Sequence, residues 1–325
     1  MKRSTHLFFL TLFLLLCLSL GSCQKITNPI TKTSFKLNTV VTVTIYDSSD
    51  ESLLEHALKL CDYYERLFSR TQRTSEIYRI NQGFTNELSP ETEELLNTAL
   101  SYSRLSEGLF DPTIGPLSSL WDFHAEQPQV PEDEKIQAAL PLVDAEKISI
   151  SNHTISMEEG MILDLGAISK GYIADRIKEY LVDQGVKSAV IDLGGNVLCI
   201  GNRPDGKPFQ IGIRQPFEDM TTAATALSVT DQSVVTSGIY ERCFTKDGIL
   251  YHHLLDPRTG YPCENELASV TILSDASVDG DALSTCCFLM GTQKGMELID
   301  TLPDVRAIFI TREGEVLYSE GFEDD

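Results

Sequence analysis

Asp281 and Thr285 stand four residues apart in the stretch Asp279-Gly280-Asp281-Ala282-Leu283-Ser284-Thr285. On a helix, positions i and i+4 share a face. A carboxylate and a hydroxyl on one face are hard oxygen ligands of the kind Mg²⁺ takes. The same acidic residues also suit the start of a helix, where they meet free amides and the positive end of the dipole. A second stretch, Leu163-Asp164-Leu165-Gly166-Ala167-Ile168-Ser169-Lys170-Gly171-Tyr172, reads as strand, tight turn and helix. Amides at such a helix start can meet a phosphate, or a carbonyl there can be left for a cation. Lys170 adds a positive group suited to phosphate handling, although a plain strand-to-helix junction with a solvated lysine reads equally well.

A third stretch carries two histidines, His252-His253-Leu254-Leu255-Asp256-Pro257-Arg258-Thr259-Gly260-Tyr261-Pro262. In a strand the two imidazoles face opposite sides. One of them, facing a site, would take a proton from an attacking hydroxyl; an ordinary core or surface histidine is the alternative. Asp192-Leu193-Gly194-Gly195-Asn196 reads either as a hairpin turn or as a glycine loop approaching a ligand, and it is not a GxGxxG fingerprint. Gly108 to Leu117, followed by Trp121, holds too many turn residues for a helix interior and is apolar enough to wall a pocket or to pack as a loop.

The elements that must position these groups are legible from periodicity. Phe35 to Tyr46 alternates in β-branched residues and predicts a strand. Glu51 to Phe68 has helical spacing, and Ser89-Pro90 opens a second helix that ends near Gly108. Beyond Lys147, strands are expected at 148–150, 154–156, 161–164, 188–193, 197–200, 208–214, 224–229, 233–236, 249–255 and 267–273. Helices are expected at 168–184 and 277–290, and a terminal hairpin near 305–318. Pro128 to Glu134 is the weakest candidate for a lobe boundary. The order predicts an α+β fold, with mixed sheet and helices in one integrated body.

Composition narrows the function. The chain has 48 acidic against 26 basic residues, a formal net charge of −22. That field repels nucleic acid, and a phosphate ligand would need a local cation or helix N-terminus. Lys2 and Arg3 precede an apolar run from Leu7 to Leu20, too short to span a bilayer comfortably, and then Leu20-Gly21-Ser22-Cys23. This order reads as a lipoprotein signal over residues 1–22, cut so that Cys23 carries lipid and anchors the chain on the extracytoplasmic face of the membrane. Residues 23–33 then form the lipidated cysteine and a tether, and 34–325 the folded domain. Cys61, Cys199, Cys243, Cys263, Cys286 and Cys287 show no zinc-type spacing; Cys286 and Cys287 read as core, and a Cys243–Cys263 bridge is possible outside the cell.

Six segments, LFDPTIGPLSSLW, DLGAISKGYIAD, IDLGGNV, VVTSGIY, HHLLDPRTGYP and SVTILSDASVDGDALST, occur in an order that resembles the ApbE family of FAD:protein FMN transferases. The likeness covers essentially the whole chain from Thr39 to the terminal strands. It implies an ApbE-like flavin transferase body, with a Mg²⁺ site made by the Ala167 carbonyl, Asp281 and Thr285. Leu37, Thr71, Leu109, Phe110, Asp111, Asp164, Lys170, Leu255 and Ser284 match positions that line the FAD. His253 matches the histidine expected to carry the proton. The implied reaction moves FMN from FAD to a Ser or Thr hydroxyl of a redox protein outside the cytoplasmic membrane, releasing AMP. Two departures stand out: Asn38 replaces the usual glycine, and Thr71 takes a place where many members have an aromatic. Hydrolysis of FAD to FMN and AMP, and flavin binding without catalysis, are the competing expectations.

Overall fold

The computed structural model describes residues 28–322 apart from 124, 126 and 219–221. The leader and Cys23 lie outside the described residues. Among the described residues fourteen strands follow in chain order: β1 (Ile30–Lys36), β2 (Thr39–Ile45), β3 (Ser149–Ser151), β4 (Thr154–Ser156), β5 (Ser188–Leu193), β6 (Asn196–Gly201), β7 (Phe209–Arg214), β8 (Ala223–Val229), β9 (Ser233–Gly238), β10 (Cys243–Lys246), β11 (Ile249–His252), β12 (Leu267–Ser274), β13 (Arg306–Thr311) and β14 (Val316–Tyr318). Eight of them form one sheet in the order β1-β2-β5-β6-β9-β12-β13-β14, with antiparallel neighbours throughout. The others pair as the ribbons β3–β4, β7–β8 and β10–β11.

Seven helices accompany the strands among the described residues: α1 (Glu51–Phe68), α2 (Glu76–Asn81), α3 (Pro90–Leu105), α4 (Gly115–Ser118), α5 (Asp133–Ala139), α6 (Ser169–Asp183) and α7 (Ser277–Ile299). Helices α1, α6 and α7 cover one face of the sheet, where Val41, Val43 and Ile45 of β2 meet Leu54, Ala57, Ile173 and Ile177. The β7–β8 ribbon covers the other face through Phe209, Ile213, Leu227 and Val229. Strand β12 lies between the two layers and is buried at every position, the hydroxyls of Ser269, Thr271 and Ser274 included. The mixed α+β body matches the expectation.

Local chemistry sets the helix ends. Asp50 caps α1 by accepting from the Ser52 amide, and Ser89 caps α3 with Pro90 in its first turn. Helix α7 has no cap of its own. Its Ser277 and Val278 amides both donate to the Asp175 carboxylate of α6, each at 2.8 Å. Gly171 allows that approach, because a Cβ there would lie 2.2 Å from the Ser277 carbonyl oxygen. The starts of α6 and α7 are therefore clamped together.

Several expected elements differ. Phe35 to Tyr46 is not one strand. It turns at Leu37 and Asn38, whose φ angles are 53° and 56°, so that β1 folds back on β2. Such a two-residue turn needs positive φ at both positions, which Asn tolerates better than most. Strand β1 also begins at Ile30, inside the stretch expected to be tether. It is a sheet edge with Thr31, Lys32 and Thr33 exposed, and that polarity resembles a linker. Residues 161–164 form only the single bridge of Ile162 to Ile114 and no strand. The strand expected over 249–255 stops at His252 and pairs with β10, which periodicity had not revealed. Helix α7 passes its expected end through a break at Gly291, with φ 78°. Pro128 to Glu134 is no boundary, since α5 begins at Asp133 and buries Ile136 against the Leu117–Trp121 cluster. Cys243 and Cys263 are free thiols, and Cys286 and Cys287 are core, as read.

Candidate active site

A cavity of about 1340 Å³ opens between the starts of α6 and α7, the Gly194-Gly195 turn, the β7–β8 ribbon and the loop after β11. Its floor is polar and fixed. Helix α6 has no side-chain cap, and Ala167, Ser169 and Lys170 line the cavity at its first turn. The Gly171 N–H, one of the helix-start amides without an intrahelical partner, donates to Asp281 Oδ2 at 2.9 Å. The Ala167 carbonyl, just ahead of the helix, accepts no backbone hydrogen bond among the described residues. Asp281 is 3% exposed, and Lys170 Nζ lies 3.7 Å from its other oxygen. Thr285 also lines the cavity, with its hydroxyl 3.3 Å from that of Ser237.

Ala167, Asp281 and Thr285 all line this cavity. A carbonyl, a carboxylate and a hydroxyl fit a cation that keeps several positions for water and phosphate, which is how Mg²⁺ usually binds. Among the described residues no group of three or more His, Cys, Asp or Glu side chains is arranged to hold a metal, so an all-protein cage is not what this floor offers. Ser284 is different from its expected role. It is fully buried behind the wall, bonded to Ser237 Oγ at 2.8 Å and donating to the Asp281 carbonyl at 2.9 Å. Only one turn separates it from the cavity residues, but its hydroxyl points into the protein and supports their backbone.

The opposite wall carries Asp164. It is paired with Arg70 at 2.8 Å, accepts from the Ser118 hydroxyl at 2.8 Å and accepts from the Gly166 N–H at 3.0 Å. Asp111 reaches the cavity, yet its carboxylate is engaged by the Thr113 amide and hydroxyl and the Ala145 amide at 2.7, 2.6 and 3.0 Å. Burial pushes it upward, against those hydrogen bonds. It shapes the loop before α4 rather than presenting a free charge. Leu37, Thr71, Leu109, Phe110 and Leu255 line the remaining wall, which is largely apolar.

The two histidines face opposite ways, as strand geometry requires. His252 is 1% exposed and sits edge-on to Phe288 at 5.9 Å. His253 lines the cavity. Burial, reinforced by the nearby Arg242, lowers His253 to about 3, and burial lowers His252 to about 4. His253 is therefore a neutral imidazole at physiological pH, the form that accepts a proton. Its Nδ1 has no hydrogen-bond partner among the described residues.

Arg70, Ser118, Arg214, Tyr240 and Arg242 also line the cavity and were not singled out from sequence. The signal is weak: each is an ordinary polar residue in a loop, a short helix or a strand end, and only tertiary structure turns it inward.

The ApbE family model matches residues 37–309 of this sequence. The chain belongs to the ApbE family. A FAD:protein FMN transferase of Klebsiella pneumoniae is 38% identical over 278 residues, covering 84% of this chain and 86% of that protein. One from Treponema pallidum is 37% identical over 246 residues, covering 71% and 68%. The ApbE protein of Thermotoga maritima superposes with a TM-score of 0.83 at 30% identity, covering 90% of this chain and 97% of that one. The flavin transferase ApbE of Vibrio cholerae gives 0.81 at 26% identity, covering 91% and 98%. The floor and the apolar wall described above both fall within the part of the chain that the ApbE model matches.

Proposed function

We propose that this chain transfers the FMN moiety of FAD to a Ser or Thr hydroxyl of an extracytoplasmic redox protein and releases AMP. The observation that carries the reading is the convergence, in one large cavity, of the Ala167–Asp281–Thr285 oxygens, Lys170 and a neutral His253. The apolar wall of Leu37, Leu109, Phe110 and Leu255 suits a flavin ring. The floor suits the diphosphate. In an acidic protein, the open start of α6 and Lys170 supply the local positive potential that an anionic substrate needs.

FAD lies with its diphosphate over the floor. His253 takes the proton from the acceptor hydroxyl. The hydroxyl oxygen forms a bond to the FMN phosphorus, and the bridging oxygen leaves with AMP, keeping the bond's electron pair. Lys170 counters the negative charge on the leaving side. Mg²⁺, held by the Ala167 carbonyl, Asp281 and Thr285, would neutralise charge on the phosphate oxygens. The anchor proposed at Cys23 would hold the enzyme where such acceptors reside; the lipobox-like Leu20-Gly21-Ser22-Cys23 supports it.

Hydrolysis uses the same groups with water as nucleophile. Thr71, which leaves that part of the wall without a ring, is the feature that favours it. The full-length chain, incubated with FAD, Mg²⁺ and a redox domain that carries FMN on a threonine, tests the proposal. Flavin fluorescence travelling with the denatured acceptor, and absent with EDTA, is the expected result. No covalent flavin on an acceptor that a known transferase can label would refute it.

A further inference from the structure

Four cations line the cavity: Arg70, Lys170, Arg214 and Arg242. Three are engaged. Arg70 pairs with Asp164, Lys170 lies against Asp281, and Arg214 stacks over the Tyr240 ring at 5.0 Å and donates to the Glu218 carbonyl. The Arg242 guanidinium has no hydrogen-bond or ion-pair partner among the described residues. Glu241 lines the same cavity and feels the charges of Lys170 and Arg242 without a direct ion pair among the described residues, its Oε1 lying 3.6 Å from where a Cβ on Gly195 would sit.

The β10–β11 ribbon fixes where Arg242 points. Cys243 pairs with His252, so the next pair outward is Arg242 with His253. The His253 N–H donates to the Arg242 carbonyl at 3.1 Å, which confirms that the ladder continues. Directly opposed residues of an antiparallel pair have Cβ atoms roughly 5 Å apart on one face. His252 faces Phe288 and the core, so Arg242 and His253 share the other face, toward the cavity. Phe244 and Tyr251 lie one alternation along that face, stacked at 5.3 Å, and tie it to the Trp121 cluster. The ribbon therefore holds an unpaired guanidinium beside the proposed base on a rigid, aromatic-backed support.

Given the transfer reading above, on which this rests, we propose that Arg242 is a catalytic residue that grips the non-bridging oxygens of the FMN phosphoryl group while His253 takes the acceptor proton. A guanidinium offers two parallel N–H donors to a phosphoryl group and cannot lose its charge at working pH. Its lack of a direct ion pair, in a chain of net charge −22, leaves its donors for a substrate anion. Arg242 and Lys170 both line the cavity that His253 enters. Charge that builds on the equatorial oxygens in the transition state is then met by two cations.

The test uses the full-length chain, FAD, Mg²⁺ and the threonine-carrying redox domain, with AMP release and acceptor flavinylation followed together. Arg242→Gln should lower kcat roughly 10²- to 10³-fold, while the dissociation constant for FAD, read from flavin fluorescence, moves less than about tenfold. Arg242→Lys should fall between the two, because it keeps the charge and loses the paired donors. Millimolar guanidinium chloride should restore part of the turnover of Arg242→Gly, a rescue that a merely structural arginine would not show. Turnover of Arg242→Gln within about twofold of the unaltered chain overturns the proposal. A loss in Arg242→Gly that guanidinium leaves unchanged, with Arg242→Lys no better, also overturns it. An unaltered chain that labels no acceptor overturns the transfer reading and this proposal with it, so the two failures are told apart.

Discussion

The two ends of the cavity are built on different principles. At the floor, the carboxylates and buried hydroxyls have fixed partners: Asp281 holds the Gly171 amide, Asp175 holds the start of α7, and Ser284 braces Ser237. At the apolar wall, Leu37, Thr71, Leu109 and Phe110 come from turns and loops, and what they contribute is shape. The floor joins two helix starts whose spacing is set by a glycine contact. Among the described residues, those of the wall have no comparable web of hydrogen bonds to hold them. The polar groups are thus locked into helix packing, whereas the apolar wall is left to turns and loops.

Substitutions at the two ends should separate accordingly. The largest effect is expected from Asp281→Asn, which keeps an acceptor for the Gly171 amide and removes the charge. Turnover should fall about 10³-fold or more with the fold intact; steady-state AMP release with a thermal melt checks both, and retained turnover would sink the metal assignment. His253→Ala should lower kcat roughly 10²-fold with little change in FAD affinity. Loss of FAD binding in a folded variant would instead make it a binding residue.

The same histidine gives a pH test. Its folded pKa, lowered to about 3, lies below the ordinary 6.5. The free enzyme therefore keeps a neutral base as pH falls from 7 toward 4. The acid limb of kcat/KM for FAD should lie well below pH 6.5. The stability that rests on burying His252 and His253 uncharged should decline as pH drops below 6.5, where the unfolded chain binds protons first. An acid limb at 6.5 would show that His253 is solvated or is not the base.

Gly171→Ala places a methyl carbon against the Ser277 carbonyl. It should cost roughly 1–3 kcal/mol and lower the melting temperature, because two helices must part. A melt unchanged by that substitution would mean that the floor is softer than its hydrogen bonds imply. Thr71→Tyr should have the smallest effect, lowering KM for FAD by a few-fold through ring contact worth about 1 kcal/mol. A large change in kcat there would erase the proposed division between the ends.

Much of this arrangement was legible beforehand. Helices α1, α3 and α6 and the strands that carry the motifs follow from periodicity, because their apolar faces are broad. The opposed faces of His252 and His253 follow from strand alternation alone. Strand β1 was hidden because an edge strand with exposed Thr31, Lys32 and Thr33 looks like a tether. Ser284 shares its short motif with Asp281 and Thr285, but a rotation of one position around α7 turns it to the core. Arg242 has no local signature. Its orientation depends on the pairing of β10 with β11, and β10 is a four-residue strand too short to show a periodic pattern. What sequence conveys poorly is therefore the long-range register that brings ordinary residues to a shared surface.

The most direct test of the central claim is the stoichiometry of the products. The full-length chain is given FAD, Mg²⁺ and an excess of the threonine-carrying redox domain, and AMP, free FMN and acceptor-bound flavin are measured in one sample. Transfer predicts one acceptor-bound flavin for each AMP, with little free FMN. AMP matched by free FMN, on an acceptor that a proven transferase labels, would show that water takes the place of the hydroxyl and would contradict the account.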